Sequence, residues 1–203
     1  CLFRRRAALS NTTLTTPSLR RSSSRRPSAL GCDIIAAMFR TIADFADTWK
    51  TESGATLKVL RNLTDASLAE SVPGARALGG IAWHIVGAIG EMLVHAGLPL
   101  ADLPDDKTPC PAAAADIAAA YESSAAAVMP ALSANWTDAQ LDEAVSMYGE
   151  QWKRGFILAV LIAHQTHHRG QMTVLMRKAG LPVPGVCGPS REEWAAYGMA
   201  APE

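Results

Sequence analysis

The chain has 203 residues, 49% of them apolar and 19% charged, with a formal net charge of zero. That suffices for one domain with a substantial core, or one domain and a tail, and leaves no room for a second full domain. The neutral total conceals an asymmetry: residues 1–37 carry seven arginines, no lysine and one acid, Asp33, so the rest holds 12 basic and 18 acidic side chains. A mildly acidic body without a basic stripe argues against nucleic acid as a partner, because phosphate binding needs a clustered basic face.

Residues 1–37 also contain ten serines or threonines and no periodic apolar pattern. They read either as a transit-type targeting sequence or as translated upstream sequence, a gene-model extension ahead of Met38. The second reading is favoured, since Met38 opens the first helical pattern. In both cases the segment is expected to be disordered, and the folded domain is expected over residues 38–203.

The first helix is predicted from about Met38 to Asn62, with Ile42, Phe45, Trp49, Leu57 and Leu60 recurring every three or four residues. The second runs from about Arg76 to Ala96, with Leu78, Ile81, Ile85, Ile89, Met92 and Leu93 on its apolar side and Gly97 and Pro99 as its stop. Residues 98–111 hold four prolines and two adjacent aspartates, which is loop chemistry. A third, alanine-rich helix is expected from about Ala112 to Leu132, bent or ended by Pro130.

Thr137 and Gln140 fit a capping box for a short helix carrying Leu141. Residues 146–149 resist assignment, as an irregular turn or a short extended piece. The fourth long helix, about Trp152 to Ala179, is nearly continuously apolar from Phe156 to Ile162, which marks it as buried. Gly180, Pro182 and Pro184 end it. No alternating strand pattern competes, so the expected architecture is an all-α helix bundle.

The longest uninterrupted apolar stretch, Gly155–Ala163, is about half the ~20 residues a membrane span requires. A soluble body with no membrane partner is therefore expected. Of the four cysteines, Cys110 and Cys187 lie in the body and show no paired short spacing, which fits a reducing compartment and a cytoplasmic location.

The five histidines carry the chemistry. His164 and His168 stand four residues apart in the fourth helix, so their rings leave one face about a turn apart and can reach one metal ion. They follow a strongly apolar run, where an unpartnered imidazole is costly to bury. His84, beside Trp83 in the second helix, offers a third imidazole of the kind that bundle cores use in facial sites with open positions. Spacing alone leaves His167 as a rival to His168, since it also adjoins His164. Glu91 lies seven residues beyond His84, about 10.5 Å along the axis, and with His95 reads as a rim or surface residue.

The string His164-Gln165-Thr166-His167-His168-Arg169-Gly170-Gln171, with Leu175, Ala179-Gly180-Leu181 and Trp83-His84, resembles the signature of the DinB/YfiT-like family. The tail Val183-Pro184-Gly185 and Gly188-Pro189-Ser190-Arg191-Glu192-Glu193-Trp194 is similar too. The resemblance covers about residues 38–203. It implies an up-down-down-up four-helix bundle, commonly a homodimer, holding a divalent metal, zinc or nickel, on three histidines that map to His84, His164 and His168. It also implies supporting or packing roles for Arg169 and Gln171, and a close helix approach at Gly170.

Some proteins of this kind are thiol S-transferases or isomerases. The expected function is accordingly a metal-dependent transferase or hydrolase acting on a small molecule, with a non-catalytic metal-binding stress protein as the alternative. A cavity at the open coordination positions separates the two. No general base is evident. Tyr148 and Glu150 precede the fourth helix and could reach the metal's open face, but a helix-entry role is favoured. Cys187 would matter only if the tail lined the pocket.

Overall fold

The computed structural model describes residues 38–105 and 107–202. The expectation for the extension over residues 1–37 falls outside them. Helix α1 spans Ile42–Leu60. Its start is fixed twice, by Thr41 Oγ1 accepting from Asp44 N at 3.0 Å and by Asp138 Oδ1 accepting from Ile42 N at 2.8 Å. Of the expected apolar stripe, Phe45, Trp49 and Leu60 are buried and Ile42 and Leu57 are half-buried, with Val59 buried beside them.

Helix α2 spans Leu78–His95 and α4 spans Arg154–Lys178. Both end as their glycines predict. Gly97 and Gly180 adopt positive φ, and the next residues close back on the helix, Leu98 N to Leu93 O and Leu181 N to Met176 O, each at 2.9 Å. By length and composition α2 matches a membrane span, but 67% of it is buried inside the bundle, as a core helix is.

Helix α3 spans Ala114–Asn135 and continues through Pro130, three residues beyond the expected end at Leu132. Pro130 removes one backbone donor, so the Ala126 carbonyl loses its helical partner. Both residues lie on the exposed side, where water can serve that carbonyl, and the helix tolerates the interruption.

The unassigned segment is a small antiparallel hairpin, a feature the sequence reading did not anticipate. Strand β1, Ala144–Met147, pairs with β2, Glu150–Lys153, so Trp152 belongs to a strand and not to α4. The turn residues Tyr148 and Gly149 have φ of 51° and 83°, the positive pair that a two-residue type I′ turn requires. The Thr137–Gln140 capping box is present and opens a 3₁₀ turn at Asp138–Asp142.

Packing explains the connections. Helix α1 lies against α3 and α4, and α2 lies against the same two, so consecutive helices α1/α2 and α3/α4 occupy the diagonals. Arg61 meets Glu122 while Ile42 meets Asp138, so α1 and α3 run antiparallel. Phe39 meets Gly155 and Glu52 meets Arg169, so α1 and α4 run parallel. His84 meets His164 while the Ala96 carbonyl accepts from Arg154 Nε, which sets α2 antiparallel to α4. The bundle is up-down-down-up.

Two glycines of α4 are opposites. A Cβ on Gly155 would collide with the Phe39 carbonyl and sit 3.1 Å from Met38 Cγ, whereas one on Gly170 would meet nothing within 4 Å. The close helix approach expected at Gly170 is therefore absent among the described residues, and the tight contact on α4 is instead at Gly155, against the non-helical segment that precedes α1. Gly155→Ala should destabilise the protein by about 1–3 kcal/mol through displacement of residues 38 and 39. Gly170→Ala should stabilise it by about 1 kcal/mol through helix propensity. Urea midpoints of both variants check the pair, and equal effects would refute the packing assignment.

Candidate metal centre

The site begins with α4. An apolar first half anchors the helix, and the polar second half then presents His164 and His168 one turn apart toward α2, where His84 faces them. His164 Nε2 stands 3.2 Å from His84 Nε2 and 3.1 Å from His168 Nε2. One donor atom from each ring lies within 4.8 Å of the others. Two imidazole nitrogens bound to one zinc at 2.0–2.1 Å stand about 2.9–3.4 Å apart at tetrahedral to octahedral angles. The two short separations fall in that range.

Hydrogen bonding among the rings cannot account for this arrangement. The His164 Nε2 atom faces two other Nε2 atoms, and a proton on it could serve only one of them. Moving that proton to Nδ1 leaves it on a buried atom without a partner. Converging lone pairs are what a cation requires, so the donor set fits a divalent ion.

His168 is prepared for that role. Its Nδ1 lies 2.7 Å from Gln171 Oε1, an acceptor that holds the proton on Nδ1 and frees Nε2 toward the other rings. Burial lowers the pKa of His84 to about 4, aided by the Arg76 and His168 charges. Burial, with His168 and His84 as the next causes, lowers that of His164 to about 4 as well. His168 is lowered mainly by burial, against an upward pull from its bond to Gln171. All three rings are thus neutral, ligand-ready imidazoles at pH 7.

Behind the rings a polar network locks α4 to its neighbours. Arg169 is 2% exposed. Its Nη1 donates to the Glu52 carbonyl at 2.9 Å and to Thr56 Oγ1 at 3.0 Å, and its Nη2 pairs with the Glu52 carboxylate. Gln165 Oε1 accepts from Thr56 Oγ1 at 3.1 Å and from Tyr121 Oη at 2.7 Å. The turn bearing the histidines is therefore tied to both α1 and α3. The sequence reading placed Arg169 correctly and missed Glu52, Thr56, Tyr121 and Gln165. The available signal was the polar residues Thr56 and Gln165 standing at core-facing positions.

Beside His84 lies a cavity of about 430 Å³ lined by Arg76, Gly80, Trp83, His84, Glu91 and Tyr148, with Gly87, Ala88 and Asp105. Trp83 is held by its Nε1 donating to the Thr108 carbonyl at 2.8 Å. Tyr148, for which helix entry was favoured over reaching the open face of the site, lines this cavity, with its hydroxyl donating to Glu91 Oε2 at 2.6 Å. Glu91 is a rim residue, as expected. Glu150 accepts from Trp152 Nε1 at 2.7 Å, which is a hairpin contact.

His167 is exposed, with its ring centroid 4.9 Å from that of His168, and is not in the three-ring cluster. His95 is likewise exposed and bonds the Glu91 carbonyl through Nδ1 at 2.8 Å. Cys187 lines a separate groove with Thr173, Val174 and Arg177, so its thiol does not face the triad cavity.

Comparison with known proteins agrees with this picture. The sequence model of the DinB family matches residues 38–203. An uncharacterized protein of Bacillus subtilis (strain 168), YrdA, is 45% identical over 167 residues, covering 82% of this chain and 99% of its own. The crystal structure of a DinB-like protein from Bacillus cereus ATCC 10987 superposes with a TM-score of 0.70 at 43% identity, covering 73% of this chain and 99% of the other. A second DinB-like structure, YjoA of Bacillus subtilis, shares the fold at 14% identity, with a TM-score of 0.54 over 69% of this chain and 96% of its own.

Proposed function

The chain belongs to the DinB family, and from that premise we propose that it holds one divalent ion, zinc or nickel, on His84, His164 and His168 and uses it as a metal-dependent transferase or hydrolase acting on a small molecule. The observation that carries the catalytic part is the cavity of about 430 Å³ opening directly onto His84. A purely structural ion needs no room beside it. A catalytic ion keeps coordination positions open to water or substrate.

When bound, the ion would supply a Lewis acid that polarises a substrate oxygen or lowers the pKa of a bound thiol or water. The chain's own residues do the rest. Trp83 forms an aromatic wall for the apolar part of a substrate. The Tyr148 hydroxyl donates a hydrogen bond to Glu91 and stays protonated at the rim of the cavity. The Arg169 network fixes the ring-bearing turn, so the imidazoles need little reorganisation to act together.

The test is turnover by the full chain after metal loading. One assay follows displacement of chloride from 1-chloro-2,4-dinitrobenzene by cysteine or glutathione; another follows hydrolysis of p-nitrophenyl acetate. The proposal expects at least one rate that requires the ion and disappears in His84→Ala. Ion-loaded protein with no metal-dependent rate in either assay would favour the non-catalytic alternative.

A further inference from the structure

The cavity beside His84 holds three charged side chains, and two are already engaged. Asp105 Oδ1 accepts from Lys107 N at 3.1 Å, Thr108 N at 3.0 Å and Thr108 Oγ1 at 2.9 Å, so this carboxylate caps its own loop. Glu91 accepts from the Tyr148 hydroxyl, and its other oxygen lies 3.7 Å from His95 Nδ1. Arg76 is different. It is exposed, lines the cavity, and makes no hydrogen bond or ion pair among the described residues.

We propose that this cavity binds an organic small molecule bearing a carboxylate or phosphate group, with Arg76 holding the anion and the reactive end directed to His84. A guanidinium recognises a carboxylate or phosphate through paired donors, and among the described residues it is the one charge on the wall with no partner. Its place at the start of α2 adds to the preference, because Ala77 caps the helix without a side chain and the helix dipole there is positive.

Arg76 precedes His84 by eight residues, about 12 Å at the backbone if the helical rise is extended to it, and its long side chain can close part of that span. Gly80 lies between them, exposed, with nothing within 4 Å of a Cβ placed there. Trp83 lines the same cavity and offers its ring to the connecting part of the ligand.

This inference rests on the metal reading for the reactive end only, and the two can fail separately. The probes are succinic monohydroxamate, whose tail is a carboxylate, and acetohydroxamate, whose tail is a methyl. Both are titrated into the full chain with and without bound zinc, with the Gly80 amide and Trp83 indole N–H signals followed by NMR. The proposal expects the carboxylate probe to bind at least tenfold more tightly in both forms. Arg76→Gln should abolish that preference while leaving acetohydroxamate unchanged. Gly80→Leu, whose Cβ would meet nothing within 4 Å, should fill part of the cavity, weaken both probes and leave the metal content intact. Equal affinity for the two probes in the parent protein, or a preference that survives Arg76→Gln, would overturn it. Zinc without effect on either probe would count against the metal reading alone.

Discussion

Arg169→Ala is expected to cost about 3 kcal/mol of folding stability, the low end of the range for removing one partner of a buried ion pair. The change would strip Glu52, whose side chain is 22% exposed, of its guanidinium partner, and would leave Thr56 without the donor it receives from Nη1. Partial exposure of Glu52 lets water replace some of the loss, which is why the low end applies. The double substitution Arg169→Met with Glu52→Met should cost clearly less than Arg169→Ala, because no stranded charge remains. Chemical denaturation of the three proteins gives the comparison. A change below about 0.5 kcal/mol in Arg169→Ala would show that the network contributes little to holding α4 in place.

The metal-free protein is expected to lose stability as the pH falls from about 6.5 to about 4. An unfolded histidine titrates near 6.5, whereas burial lowers His84 and His164 to about 4 in the folded state. Above the unfolded value both states hold these rings neutral, and they make no pH-dependent contribution. Within the window the unfolded chain takes up protons that the folded chain refuses, so unfolding is favoured increasingly. Bound metal should compete with the same protons and hold the stability up until it is released. Urea midpoints between pH 4 and 7 measure the slope, and replacing His84 and His164 with glutamine should flatten it. An unchanged slope in that double variant would show that the rings are not held neutral by burial.

Periodicity made the four helices legible, because their apolar stripes are the faces that pack. The glycine stops at Gly97 and Gly180 were equally readable, since only a positive φ closes those ends. The hairpin was not readable. Its turn is Tyr148-Gly149 where Asn-Gly or Asp-Gly is the usual signal, and only Met147 and Trp152 are buried in its strands. Pro130 misled the reading of α3, because exposure of the freed carbonyl depends on which face the helix presents.

At the site, helical spacing brought His164 and His168 together but could not choose between His167 and His168. The structure separates them by exposure and by the Nε2 convergence with His84. The position of Tyr148 before the fourth helix allowed it to reach the open face but could not favour that over helix entry. The residue reaches the cavity through a left-handed backbone and a contact with Glu91 on another element, and neither has a local sequence signature.

The central claim is that three imidazoles from α2 and α4 share one ion, and metal content tests it most directly. The full chain and its His84→Ala and His168→Ala variants would be purified without added chelator and analysed by plasma mass spectrometry, with circular dichroism confirming the helical fold of each. The account predicts close to one equivalent of zinc, nickel or a similar divalent ion in the parent, lost in both variants while they remain folded. A folded parent that retains no stoichiometric metal even after reconstitution, or variants that retain it fully, would contradict it.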